Sequence, residues 1–129
     1  MQDQGAGPTR EHHMITGVHA IIYSEQADAV RAFFRDVLEY RSVDAGRGWL
    51  IFALPPAEIA VHPAEGDAKH ELYLMCDDLD QTLADLRAKG VEPGGPIHDE
   101  RWGRLTSIRI AEGTTIGIYQ PKHPLAITL

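Results

Sequence analysis

The chain has 129 residues, 43% of them hydrophobic, so it is long enough for one globular domain with a single core. Its formal net charge of -7 argues against binding to nucleic-acid phosphates, and no apolar run approaches the roughly 18 residues of a membrane span. A single cysteine, Cys76, excludes a disulfide framework, and we expect a cytoplasmic protein without nucleic-acid or membrane partners.

The first half of the chain predicts a strand, a helix and three short strands. Residues 1–13 are polar and aperiodic, which predicts a disordered leader. β-branched and aromatic residues predict a strand over 15–23. Ser24 is a candidate N-cap for a helix whose apolar stripe is Val30, Phe33, Phe34, Val37 and Leu38. A hairpin turn at 45–48 and two prolines delimit three further strands over 40–44, 49–54 and 58–62.

The second half repeats this order. Residues 70–76 predict a strand, and Asp77-Asp78 cap a helix that buries Leu79, Leu83 and Leu86 and ends at Gly90. A broken edge strand over 91–97 precedes a hairpin of strands over 105–110 and 114–120. His98, next to two acidic residues, is predicted to lie in an exposed loop. The repeat predicts one α+β domain over 14–121, built from module 1 (14–63) and module 2 (69–121), with a tail over 122–129.

Several motifs resemble those of the vicinal oxygen chelate superfamily, which includes glyoxalase I, bleomycin-resistance proteins and extradiol dioxygenases. Residues 34–38 (FRDVL) resemble the FYxxxLG signature of the first helix, with Glu39 where glycine is usual. Residues 71–78 resemble the second-module strand that a His or Glu leads and Val-Asp-Asp ends. Residues 86–91 (LRAKGV) and Trp102-Gly103 also resemble superfamily motifs.

The resemblance implies two tandem βαβββ modules that form an open, incomplete barrel with a cleft, in a protein that pairs as a homodimer. Because strand side chains alternate, one set of residues faces the cleft. This set includes Tyr73, Met75 and Tyr119 as an apolar and aromatic lining, with Trp102 at the edge. His70 has the opposite parity and is predicted to face away.

The resemblance also implies a candidate metal site, because metal-using members take one ligand from the first and one from the last strand of each module. His19 and Glu71 occupy the first-strand positions, whereas Ala60 and Gly117 align where glutamate is usual. A two-residue slip would replace Ala60 by His62, so that His19, His62 and Glu71 form a two-His-one-carboxylate set for Fe, Mn, Ni or Zn.

Two hypotheses for the function remain open at this point. The first is a divalent-metal lyase, isomerase or dioxygenase, in which Glu71 acts as ligand or general base. The second is a metal-free pocket that sequesters a small molecule in the manner of the bleomycin-resistance proteins. The presence of His19 and Glu71 favours the enzyme, whereas the loss of both last-strand glutamates favours the binding protein.

Overall fold

The structure, a computed structural model, describes residues 19–61, 63, 65–67 and 69–129. Within these residues no helix is long and apolar enough to cross a membrane. The elements, in chain order, are α1 (Ala27–Ala32) with a following π-helical turn (Phe33–Val37), β1 (Ser42–Asp44), β2 (Leu50–Phe52), β3 (Tyr73–Met75), α2 (Leu79–Ala88), β4 (His98–Glu100), β5 (Gly103–Ala111), β6 (Thr114–Pro121) and a 3₁₀ turn (Ala126–Thr128). The predicted α+β architecture is confirmed.

The second half of the chain forms a complete βαβββ unit. Its sheet has the order β3-β6-β5-β4, in which β3 runs parallel to β6 and the other pairs are antiparallel. One face of this sheet is apolar and packs against the buried side of α2 (Leu79, Leu83 and Leu86). The sheet's contribution to that core is Ile108, Ile110, Ile116 and Ile118. Burial of these aliphatic side chains is the main stabilising contribution to the unit.

The caps of α2 agree with the sequence prediction. The Asp78 carboxylate accepts a hydrogen bond from the Gln81 backbone N–H at 3.1 Å, which satisfies one free donor of the first turn. At the other end Gly90 has a φ of 87° and its N–H donates to the Arg87 carbonyl, while the Val91 N–H donates to the Leu86 carbonyl. This pair of bonds is a Schellman motif, and it requires the left-handed conformation that glycine adopts without strain.

The first helix, α1 with its π-helical turn, also packs on the same core, through Val30, Phe33 and Phe34. Its N-cap is Gln26, so the prediction that Ser24 caps it is wrong. The Ser24 hydroxyl instead accepts from the Gln26 N–H and shares a hydrogen bond of 2.5 Å with the hydroxyl of Thr114. The side chain therefore ties the start of the helix to β6.

Two predicted strands of the first half are not formed in the part of them that the structure describes. Residues 19–23 and 58–61 belong to no sheet, and their apolar side chains are largely exposed, with Tyr23 at 89% and Ile59 at 92%. A strand needs the hydrogen bonds of a neighbour, and these segments find none among the described residues. In the described part of module 1, the elements that form are therefore α1 with its π-helical turn and the short hairpin of β1 and β2.

The edge strand of the second half lies later than predicted. Residues 91–97 make only an isolated bridge, between Pro93 and Ile108, because two prolines and the Gly94-Gly95 pair interrupt the ladder. The edge is formed instead by β4, in which His98 pairs with Leu105. His98 thus lies in an exposed strand rather than in the predicted loop.

Candidate functional site

The open face of the second sheet is the one that the helices leave uncovered. The register places Tyr73 beside Gly117 and Met75 beside Tyr119, so these four residues of β3 and β6 share a face. The same face continues onto β5, where Ser107 pairs with Gly117. Because Ile116 and Ile118 alternate with these residues and are buried against the helices, the Tyr73 face is the one available to a ligand.

A cleft of about 1040 Å³ lies between this sheet and the segment that precedes α1. His19 and Glu71, the two predicted first-strand residues, both line it, and so does Tyr73. His70 also lines the cleft, contrary to the prediction that it faces away. The further lining residues are Ala20, Ile21, Ile22, Leu72, Gly94, Gly95, Pro96, His98, Leu105, Thr106, Ser107, Thr115, Ile116 and Gly117.

The Tyr73 ring lies directly over Gly117. A Cβ atom on Gly117 would lie 2.2 Å and 2.3 Å from two ring carbons of Tyr73, so only glycine leaves room for the ring. Burial raises the pKa of the Tyr73 phenol, and the negative charge and hydrogen bonding of Glu71 raise it further. The position where the resemblance implies a glutamate ligand is thus covered by an aromatic ring whose hydroxyl is kept protonated.

An aromatic cluster extends from Tyr73 along the open face. The Tyr119 ring contacts Tyr73, Trp102 and His123 at centroid distances of 5.7, 5.9 and 6.0 Å, the first two edge to face. Gly103 permits this packing, because a Cβ there would lie 3.2 Å from a Tyr119 ring carbon and 2.9 Å from the Gln120 carbonyl oxygen. Of the four predicted lining residues, Tyr73 is the one that lines the cleft; Tyr119 and Trp102 belong to the aromatic cluster that contacts it, and Met75 pairs with Tyr119.

The described residues do not by themselves form a metal site. Among them no group of three His, Cys, Asp or Glu side chains is placed to hold an ion. His19 and Glu71 supply two donors of the predicted set, and the third, His62, lies outside the described residues. The predicted three-ligand site would therefore depend on His62.

Two polar residues that the sequence analysis did not single out join the aromatic cluster to the end of the chain. His123 lies 3.2 Å from the Tyr119 hydroxyl, and Glu58 accepts hydrogen bonds from backbone N–H groups near the C-terminus. Burial raises the pKa of Tyr119, and the nearby charge of Glu58 adds to this effect. The only local signal was an acidic residue within the apolar run 57–61 (AEIAV).

Comparison with known families and curated proteins at the sequence level gives no match: no family model matches the chain, and no curated protein matches it. Sequence similarity alone therefore assigns neither a family nor an activity.

Solved structures do resemble the chain. The antibiotic binding protein TnmS3 from Streptomyces sp. CB03234 matches with a TM-score of 0.60 and 24% identity, over 86% of this chain and 100% of that one. The lactoylglutathione lyase from Agrobacterium tumefaciens matches with a TM-score of 0.58 and 16% identity, over 84% of this chain and 96% of that one.

A third neighbour carries the superfamily name itself. It is a glyoxalase/bleomycin resistance protein/dioxygenase superfamily member from Sphaerobacter thermophilus, with a TM-score of 0.54 and 25% identity over 84% of this chain and 99% of that one. The chain therefore has the glyoxalase/bleomycin resistance/dioxygenase fold, and its resemblance to the vicinal oxygen chelate superfamily is confirmed.

Proposed function

We propose that the chain binds a small organic molecule in the cleft above the open face and sequesters it without a metal. The observation that carries this proposal is the Tyr73 ring over Gly117, which places an aromatic surface where the resemblance implies a metal ligand. The cleft, at about 1040 Å³, has the size of a small-molecule site, for which about 300–1,000 Å³ is typical.

The lining indicates the chemistry of the ligand. Tyr73 offers an aromatic ring, and Glu71 beside it offers a carboxylate. Aromatic rings and carboxylates together attract planar cations, and the net charge of -7 favours the same class of ligand. The structural likeness to an antibiotic binding protein, which covers that protein's whole length, supports a sequestering role.

The test is thermal unfolding of the EDTA-treated protein with bleomycin and with proflavine, a planar aromatic cation. At a concentration of about 100 times Kd, a ligand that binds only the folded state stabilises it by about 2.7 kcal/mol. We expect this stabilisation in the wild type, its loss in Tyr73→Ala, and its retention in Tyr23→Ala, a control at an exposed tyrosine outside the cleft lining. Absence of stabilisation by both probes would contradict the proposal.

A second candidate function is a divalent-metal lyase, isomerase or dioxygenase with His19, His62 and Glu71 as ligands. It is favoured by one observation, that His19 and Glu71 line the same cleft. In this account the metal would supply a Lewis acid, and Glu71 would serve either as a metal ligand or as the general base that accepts a proton from the bound substrate.

Metal analysis of untagged protein separates the two candidates. The enzyme hypothesis predicts a stoichiometric Fe, Mn, Ni or Zn ion that His62→Ala loses. The matched control is His98→Ala, because His98 also lines the cleft but is outside the predicted ligand set. Wild-type protein that takes up none of these metals in titration would contradict the enzyme hypothesis.

We also propose that the folded unit is a single domain over 14–121 and that it forms a homodimer. The core that α1 shares with α2 and the four-stranded sheet supports the single domain. The homodimer is supported by exposed apolar side chains in the first half, which pairing would cover: Ile21, Tyr23, Val43, Ile51, Ile59 and Val61. Size-exclusion chromatography with light scattering is expected to give twice the 14.3 kDa chain mass at micromolar concentration, and a monomer would contradict this.

A further inference from the structure

The end of the segment after β6 is held by a carboxylate from the first half of the chain. Glu58, whose side chain is only 14% exposed, accepts hydrogen bonds from the backbone N–H groups of Ala126 at 2.8 Å and Ile127 at 3.3 Å. A carboxylate withdrawn from water is costly unless such donors compensate it. The contact therefore joins two parts of the chain that are 68 and 69 residues apart in sequence.

His123 lies between this carboxylate and the aromatic cluster. Its Nδ1 is 2.7 Å from the Pro124 carbonyl oxygen, which can only accept, so Nδ1 carries a proton. In the neutral imidazole Nε2 is then an acceptor, and the Tyr119 hydroxyl, 3.2 Å away, donates to it. Glu58 lies 3.8 Å from the same Nε2.

Protonation of His123 reverses this arrangement. Nε2 then becomes a donor and carries a positive charge next to Glu58, so it no longer accepts from Tyr119. The other charged group on the segment, Lys122, is engaged with Asp99 and with the Glu100 carbonyl. Behind Tyr119 lies Tyr73, with Glu71 beside it. Glu58 and Tyr119 are thus the titratable partners that His123 contacts.

We propose that Glu58 and His123 form a proton-responsive latch that holds the 122–129 segment against the end of the aromatic cluster. With His123 protonated, an ion pair between its imidazolium and Glu58 adds to the contacts that hold the segment, and the Tyr119 hydroxyl is released to donate elsewhere on the open face. With His123 neutral, its Nε2 accepts from the Tyr119 hydroxyl, and Glu58 holds the segment only through its hydrogen bonds to the Ala126 and Ile127 amides. The latch requires no ligand and does not depend on the function proposed above.

Hydrogen exchange of the full-length protein tests whether Glu58 holds the 122–129 segment. In Glu58→Ala we expect the Ala126 and Ile127 amides to lose about tenfold or more of their protection, because their acceptor is removed. Glu58→Gln keeps an amide oxygen as acceptor and is expected to retain most of the protection at pH 8. Glu112→Ala, in the exposed β5–β6 turn, is the control. Unchanged protection in Glu58→Ala would overturn the proposal.

The proton response is tested by comparing the same protection factors, corrected for intrinsic exchange, at pH 5.5 and pH 8. Because the ion pair with Glu58 requires a protonated imidazole, the wild type is expected to be better protected at pH 5.5 than at pH 8. This difference should vanish in His123→Gln and in Glu58→Gln but persist in Tyr119→Phe. A pH difference in protection that persists in both His123→Gln and Glu58→Gln would overturn the proposal. So would ¹⁵N spectra that show the His123 proton on Nε2 at pH 8.

Discussion

Glu39 has a φ of 58°, a left-handed conformation that costs a residue with a Cβ roughly 1–2 kcal/mol. It follows the π-helical turn, at the position where the superfamily signature carries glycine. Glu39→Gly is therefore expected to raise the free energy of unfolding by about 0.5–1 kcal/mol, since relief of strain exceeds the entropy cost of glycine.

Urea unfolding followed by circular dichroism measures this change. The control is Ala29→Gly, an exposed position in α1 with helical geometry, where glycine should lower the free energy of unfolding by about 1 kcal/mol. Destabilisation of similar size by both substitutions would show that Glu39 is not strained.

The close contact between Gly117 and Tyr73 gives a second prediction at this scale. Gly117→Ala should lower the free energy of unfolding by about 1–3 kcal/mol, because the added Cβ displaces the Tyr73 ring. A double-mutant cycle with Tyr73→Ala measures the coupling. We expect the Gly117→Ala substitution to cost much less when Tyr73 has already been replaced by alanine, and strictly additive effects would contradict the contact.

The alternation of side chains between the two faces of a strand follows from the sequence, and it is the reason that Tyr73, Met75 and Tyr119 are predicted on one face. The position of the Tyr73 ring over Gly117 could not be predicted from the sequence, because it depends on the parallel register of β3 and β6. Glu58 and His123 were missed for a related reason: they meet only through the turn of the chain after β6. Local sequence patterns predict which face of a strand a side chain lies on, but they do not predict which distant residues it contacts.

Among the elements, α2 was the most predictable, because its apolar spacing, its cap and its terminating glycine are all local signals. Asp78→Ala is expected to lower the free energy of unfolding by about 1 kcal/mol through loss of the bond to the Gln81 N–H. Asp77→Ala, one residue earlier, is the matched control and should change stability by less than about half as much. Equal effects in chemical denaturation would contradict the cap.

The strands of the first half were the least predictable elements. Residues 19–23 and 58–61 have β-branched and aromatic composition, but a strand forms only where another strand supplies hydrogen bonds. The edge strand forms at 98–100 rather than at the predicted 91–97, because the prolines in 91–97 have no N–H group to donate to a neighbouring strand. Composition predicts which segments favour a strand, whereas pairing decides which ones become strands.

For the molecule as a whole, burial predicts a loss of stability at high pH. It raises the pKa of Tyr40, of Tyr73, of Tyr119 and of the Cys76 thiol. The unfolded chain releases these protons at lower pH than the folded one, so the stabilisation is present below the ordinary tyrosine pKa of about 10 and is lost as pH rises through the folded values.

The urea concentration at the midpoint of unfolding should therefore decrease as the pH rises from about 9 to about 11.5, and this decrease should be smaller in Tyr73→Phe than in the wild type. An unchanged midpoint over this pH range, measured in buffers of equal ionic strength, would contradict the assignment.

The superfamily fold was predictable from the repeat and its motifs, whereas the metal-ligand set depends on His62 and stays a prediction.

The most direct test of a ligand site on the open face is amide chemical-shift mapping of the metal-free, ¹⁵N-labelled protein during titration with proflavine. Saturable shifts are expected at Tyr73, Ser107 and Gly117, with Arg87 and Lys89 at the end of α2 unaffected. Shifts confined to α2 and its neighbours, or no saturable shifts on the open face, would contradict the account.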